Sequence, residues 1–389
     1  MARKIVRIGV SIEYQRGTGR KVCQGIAAVS HDHPEWHLSM FKDSFPSADE
    51  ITKLDGFLWD VSDARSAQKL IATGKPVIDL VNDGKYPGTI SVGADHMACG
   101  QLAARHFITR HFSHFAFCGW KGLRFSDARQ QAYVRALQLN HFACYVYSPE
   151  GLNMSKFIRH YVMQERFVLP EDAEALAKWL KGLPKPVGVF CANDLRAWQV
   201  AEVCRVNKIS VPGTVAILGA DNDLVPCLFV YPPISSVDTD AVEIGRRAAE
   251  VLVGILSEQL PKSHPPTLVK PIGIVMRKST EVFPLDPVWL AEALVFIRAN
   301  VSKSLTASDV SAHVGLSYPT VENAFRTMLG TTVQKEIMSV RLETAEHLLS
   351  TTRLTVAEVA ARSGFRSPQY FCLCFSRRHG ISPGAFRKN

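Results

Sequence analysis

The chain has 389 residues, a net charge of +9 and a hydrophobic content of 47%, and a length of this order implies two or three domains rather than one core. Nine cysteines without a C-x-x-C pair suit a reducing compartment better than a disulfide scaffold. No apolar run approaches the roughly 18 residues of a membrane helix, and Met1 to Arg7 lead into strand-like sequence without a signal-peptide pattern, so a cytoplasmic protein that meets no membrane is expected.

From the start to about residue 280, short apolar runs alternate with helical ones. In order they are IVRIGVS, a helix over 20–31, WHLSMF, DGFLWD, a helix over 63–73, PVIDLV, TISVGAD, a helix over 96–110, HFAFCG, a helix over 126–139, ACYVYS, PVGVFCAN, a helix over 194–206, VAILGAD, and after SSVDTD a helix over 240–257. Continuous apolar strands joined by helices predict parallel sheets covered on both faces. The repeat is long enough for two doubly wound sheets, which makes an α/β core of two lobes with a ligand at the carboxyl ends of the strands. The lobes are expected to be 1–110 with 238–265, and 111–237 with 266–280.

A two-lobed core of this kind suits a sugar, whose many hydroxyls need carboxylates and guanidinium forks beside an apolar wall. In the second lobe the candidates are Asp194 after PVGVFCAN, Asp221 after VAILGA, and Arg129 in the helix after HFAFCG. The aspartates equally suit a helix cap or strand-end turn, and Arg129 an exposed helix position. In the first lobe, Glu13, Tyr14, Arg16 and Arg20 cluster around Gly17 and Gly19, and Trp59 and Asp60 end DGFLWD at the same rim; an exposed loop is the alternative there. GTGR lacks the Gly-Lys-Ser/Thr that would close a phosphate loop. His31, Asp32, His33 and His37 read as a solvated turn rather than a metal site. With no G-x-S-x-G elbow and no paired acidic motif, no catalytic residue, metal or cofactor is assigned, and the core is expected to bind and release rather than to act as an enzyme.

STEVFPLDP, whose two prolines favour an extended connection, supplies a linker at 281–287, and residues 288–389 form an all-α domain. Two copies of one pattern stand in it: Thr306, Val310, Gly315, Ser317, Phe325, Gly330, and then Thr355, Val359, Gly364, Ser367, Phe375, Gly380. The offset is 49 through the glycines (306 to 355) and 50 after them (317 to 367), a diverged duplication. Each copy is a short helix, a glycine able to take positive φ, a serine N-cap and a second helix with proline in its first turn, which is a helix-turn-helix. Between the copies, Val333, Ile337, Val340, Leu342, Ala345, Leu348 and Leu349 predict one helix of about eighteen residues, roughly 27 Å long, so that the two units can reach successive major grooves of double-stranded DNA. Residues 353–389 carry seven Lys/Arg against one Glu, a charge that attracts phosphate.

Base contacts are expected from Tyr318, Pro319, Glu322 and Asn323, and from Pro368, Gln369, Cys372 and Leu373. Asn323 and Gln369 carry the amide that pairs with adenine, and Glu322 can accept from cytosine. Arg326, Arg366, Arg377, Arg378 and Arg387 lie off that face or in the turn and read as phosphate contacts, whereas Phe325, Phe371 and Phe375 read as core.

Segments of the core, among them SVGADHMACGQLAARHFITRHFSHFAFCG, VFCANDLRAWQV and YPPISSVDTDAVEIGRRAAEVL, resemble the ligand-binding core of LacI/GalR regulators and periplasmic sugar-binding proteins. The stretch RLETAEHLLSTTRLTVAEVAARSGFRSPQYFCLCFSRRHGISPGAFR resembles the AraC/XylS DNA-binding domain. Together the resemblances cover nearly the whole chain, in the order core then tail, the reverse of a LacI-type headpiece. They imply a periplasmic-binding-protein-like fold with effector contacts at the matching Arg129, Asp194 and Asp221. They also imply a homodimeric, D-xylose-dependent activator that binds operator DNA and touches RNA polymerase. A repressor relieved by another pentose or hexose, and an enzyme acting on its bound sugar, are the other readings. Many AraC-type domains have arginine where this chain has Asn323 or Leu373, so guanine is expected to count for less in its operator.

Overall fold

The computed structural model describes residues 5–41, 45–61, 63–80, 86–147, 170–261 and 263–388; the expected strand ends at Val81 and Ser148, and the first four residues, lie outside them. Two compact units are present, Met1–Arg105 with His114–Thr280, and Glu281–Asn389 with the short segment His106–Ser113.

The first unit holds two six-stranded sheets. One contains β1 (Val6–Ser11), β2 (Trp36–Met40), β3 (Gly56–Trp59), β4 (Val77–Asp79), β5 (Ile90–Ala94) and β11 (Thr267–Val269) in the order β11-β5-β4-β3-β1-β2. The other contains β6 (His114–Cys118), β7 (Cys144–Val146), β8 (Val187–Cys191), β9 (Val215–Ala220), β10 (Ser235–Asp238) and β12 (Gly273–Val275) in the order β12-β10-β9-β8-β6-β7. The two orders are equivalent. All pairs are parallel except β10 with β12. Strands β3, β5, β8 and β9 are buried along their whole length, which is why they read as unbroken apolar runs. Because β11 pairs with β5, the chain returns to the second lobe after Val269, a few residues beyond the expected 265.

Helices Gly17–Ser30 and Ala241–Leu256 cover one face of the first sheet and meet at two glycines. A Cβ on Gly25 would lie 1.9 Å from the Val242 carbonyl oxygen, and one on Gly245 2.0 Å from that of Val22, so the backbones touch and no side chain fits between them. In both sheets the strand order reverses beside the first strand, between β1 and β3 and between β6 and β8. A crevice opens at the carboxyl ends there.

The second unit is helical. Helices Ala307–His313 and Tyr318–Leu329 form the first helix-turn-helix, and Val356–Arg362 and Pro368–His379 the second. The duplication extends to its hydrogen bonds: Thr306 with Asp309 and Thr355 with Glu358 form capping boxes, Ser317 and Ser367 cap the second helices, and Gly330 and Gly380 end them left-handed. The turn glycines Gly315 and Gly364 take φ of 69° and 82°, a region that disfavours any residue with a Cβ. The connecting helix, Val333–Thr351, gives Val333, Ile337 and Val340 to a core with Phe325, and Leu342, Ala345 and Leu349 to a second core with Phe371 and Phe375. Among the described residues no helix is long and apolar enough to cross a membrane.

Candidate ligand cleft and nucleic-acid interface

At the carboxyl ends of the second sheet, Arg129 enters from the helix Arg124–Gln138. Its Nη1 donates to the carbonyl of Ala192 at 2.6 Å, its Nη2 to Asp221 Oδ1 at 2.7 Å, and its guanidinium lies 5.5 Å over the Phe125 ring. The exposed-helix alternative for Arg129 is thereby removed. Arg129 is buried, whereas the Asp221 side chain keeps 21% exposure, so the arginine fixes a carboxylate that faces outward. Asp221 takes φ of 98° and Asn222 φ of 49°, which turns the chain sharply at the strand end. From the first lobe, the helix His96–Ile108 brings His96 to 6.4 Å from Phe125. Burial, reinforced by Arg129, lowers the His96 pKa to about 3, so the imidazole is neutral there.

Asp194 does not reach the crevice. It is 1% exposed, Oδ1 accepts from Ser236 Oγ at 2.5 Å and Oδ2 from the Asp223 amide at 2.7 Å. Burial lifts its carboxyl well above the usual range, and the nearby Asp221 adds to this. Its lone pairs are used inside the lobe, so it supports the turn that carries Asp221 instead of binding a ligand. The cap of its helix is Asn193, which accepts from the Arg196 amide. Arg196, not singled out from the sequence, is fully buried, with its guanidinium 5.7 Å over Trp120 and 5.2 Å over Tyr147. A charge in the first turn of a helix that follows an apolar strand was the available signal.

In the first lobe, Glu13 pairs with Arg16 at 3.1 Å. Asp60 joins them: burial raises its pKa to about 6, Glu13 and Asp79 add to the rise, and Arg16 opposes it. Tyr14 is 38% exposed. One expectation fails here. Trp59 is 4% exposed and packs on Phe41, Phe45 and Phe57 with ring centroids 5.8, 5.8 and 6.1 Å away, because consecutive strand residues face opposite sides and Asp60 takes the rim. Arg20 donates to the carbonyls of Tyr14 and Gln15, so it braces the loop.

On the tail, Tyr318, Pro319 and Asn323 are exposed on the first recognition helix, as are Pro368, Gln369 and Leu373 on the second. Ser367 Oγ donates to Gln369 Oε1 at 2.9 Å. Tyr370, 52% exposed, shares the face and was missed. Glu322 does not read a base: its side chain is 13% exposed, and it accepts from Arg326 at 3.0 Å and from the Val333 amide at 3.2 Å, capping the connecting helix. Arg326 is thus tied to Glu322 at one edge while 65% of its side chain stays exposed. Arg366 and Arg377 are exposed. Arg378 is exposed but tied to the connecting helix, donating to the Ser339 carbonyl and hydroxyl at 3.3 and 3.1 Å and pairing with Glu346 at 3.5 Å. Arg387 is half-buried, with Nε and Nη2 shielded from solvent and without a hydrogen-bond partner among the described residues. Both arginines are thus partly engaged by their own domain.

Comparison with known proteins agrees with both halves. A periplasmic binding protein-like domain matches residues 104–280, and a helix-turn-helix domain matches residues 310–389. The xylose operon regulatory protein of Haemophilus influenzae is 26% identical over 399 residues, covering 100% of both chains; that of Escherichia coli K12 is 26% identical over 402 residues, covering 100% of this chain and 98% of its own. The chain is a DNA-binding transcription regulator. The regulator is homologous to these proteins from end to end. Its fold matches the solved xylose-binding transcription activator xylR with a TM-score of 0.61 and 25% identity, over 100% of this chain and 99% of that one. Its core also shares the fold of a LacI family regulator from Enterococcus faecium with bound ribose, at TM-score 0.55 and 18% identity, over 72% of this chain and 100% of that one.

Proposed function

We propose that the regulator is an activator of xylose-utilisation genes whose effector is D-xylose. The observation that carries the reading is the end-to-end similarity, in the same core-then-tail order, to proteins named for the xylose operon and to a structure described as a xylose-binding activator. The crevice supplies suitable chemistry. The Asp221 carboxylate, oriented by Arg129, accepts hydroxyl protons, the half-buried Phe125 offers an apolar face, and Glu13, Arg16 and Asp60 supply a second polar wall from the other lobe. The site is read as one that binds and releases its sugar, in keeping with relatives that are transcription regulators. Asn323, Gln369, Tyr318 and Leu373 then read bases while Arg366 and Arg377 hold phosphate. The working form is a homodimer in the cytoplasm, placed beside RNA polymerase.

Ligand shifts a lobe equilibrium only by its preference for the closed form, so effector identity is a matter of relative affinity. Calorimetry against D-xylose, arabinose, ribose, glucose and galactose is expected to give D-xylose the lowest Kd. Tighter binding of any other sugar in that panel refutes the assignment. Asp221→Ala is expected to abolish binding of the same sugar.

A further inference from the structure

The turn 221–223 touches three things at once. Asp221 pairs with Arg129 in the crevice. Asn222 ties the turn to the end of β10, where the chain leaves for the first lobe, and to the residues after β12: its Nδ2 donates to Asp238 Oδ2 at 2.8 Å, and its Oδ1 accepts from Arg277 Nη2 at 2.7 Å. Two further bonds run to the other lobe. The amide of Gly17 donates to Asp223 Oδ2 at 3.0 Å, and Lys21 Nζ donates to the Asn222 carbonyl at 2.9 Å.

Gly17 opens the helix Gly17–Ser30, whose N-cap, Arg16, makes no side-chain capping bond. The first amides of a helix lack partners within it, and the positive end of the helix dipole attracts a carboxylate. Asp223 supplies both the acceptor and the charge from the opposite lobe. The approach depends on glycine, since a Cβ at position 17 would lie 2.4 Å from Asp223 Oδ1. The carboxylate is in turn held in place by Asp194, which accepts from the Asp223 amide.

We propose that Gly17 and Asp223 form a latch that caps a first-lobe helix from the second lobe, making Asp223, Gly17 and Lys21 positioning residues for the effector response that touch no sugar. The latch couples effector to closure because Asp221 and Asp223 are two residues apart in one turn. A ligand that fixes Asp221 also fixes Asp223 against Gly17, and opening the lobes exposes the orphan amide and the carboxylate together. The coupling rests on the reading of the crevice as a sugar site, whereas the latch itself does not.

Hydrogen exchange in the full chain, read in the peptide that covers the first turn of Gly17–Ser30, tests it with and without saturating D-xylose. Asp223→Ala and Gly17→Ala are both expected to speed exchange there in either condition and to raise the Kd for D-xylose about three- to tenfold, the range of one hydrogen bond lost between partners that regain water. Alanine at the first helical position otherwise favours helix over glycine, so faster exchange in Gly17→Ala reports the lost cap and not a weaker helix. Asp223 also caps the short helix Leu224–Leu228, so if Asp223→Ala fails to fold, Gly17→Ala and Asp223→Asn decide. Wild-type exchange and wild-type affinity in Gly17→Ala overturn the latch. If the wild-type chain binds no sugar, the effector reading fails, and the exchange difference without sugar still decides the latch.

Discussion

The two neighbouring arginines of the second recognition helix are expected to behave in opposite ways. Arg377 is exposed, so Arg377→Ala removes a charge available to phosphate. One phosphate contact accounts for a slope of about 0.9 in log affinity against log salt, and the variant should lose that much slope with little change in stability. Arg378 holds Ser339 and Glu346 on the connecting helix with its side chain 28% exposed. Arg378→Ala leaves the Glu346 carboxylate, 8% exposed, with a weakened partner. Charge-assisted bonds contribute about 1.5–3 kcal/mol when buried and 0–1 kcal/mol at the surface, so a partly buried site should lose about 1–2 kcal/mol. Local opening then rises roughly 5- to 30-fold. Fluorescence anisotropy on a duplex selected by the purified protein, repeated across salt concentrations, gives the slope. Hydrogen exchange over Val333–Thr351 gives the opening. A reduced slope with unchanged exchange in Arg378→Ala would refute a bracing role for Arg378.

Arg129→Met leaves Asp221 without its counter-ion and the Ala192 carbonyl without its donor, and breaking such a pair should cost about 2–4 kcal/mol after allowance for the partial exposure of Asp221; thermal unfolding checks this, and an unchanged Tm contradicts the pairing. Combining it with Asp221→Leu should recover part of the loss, since no orphaned charge remains. Asp60 has a folded pKa of about 6, above the unfolded value near 3.9, so the folded state holds the proton more tightly. Its contribution to stability is greatest below pH 4 and falls as pH rises through 6. Asp60→Asn should therefore gain stability relative to wild type at pH 7 and not at pH 4, and a gain confined to pH 4 would show the sign to be wrong. Gln369→Ala and Asn323→Ala should each relax preference at one base pair by about 1–3 kcal/mol, measured by competition among single-base operator variants.

Much of the architecture was legible because burial writes itself into residue order. Strands covered on both faces read as apolar runs, and a glycine followed by a serine cap at a repeated spacing marks both helix-turn-helix units. Strand ends mark the crevice, where Asp221 follows β9 and Arg129 enters from the helix after β6. The short strands Thr267–Val269 and Gly273–Val275 are not legible in the sequence, since neither is buried along its length and Pro265, Pro266 and Pro271 beside them suit a loop. Trp59 was misplaced by treating two adjacent strand residues as sharing a face. Glu322 and Arg378 lie on the outward side of a helical wheel, but their partners, the Val333 amide and Ser339 with Glu346, belong to the connecting helix, and only the tertiary structure shows them. The same holds for Asp223, whose partner is 206 positions away.

The affinity of the full chain for its selected duplex, titrated with and without D-xylose at fixed salt, decides whether the sugar drives the regulator onto DNA. D-xylose is expected to tighten binding, arabinose and ribose at the same concentration to do so less, and Asp221→Ala to keep the sugar-free affinity while losing the response. Binding that D-xylose leaves unchanged or weakens would contradict that expectation.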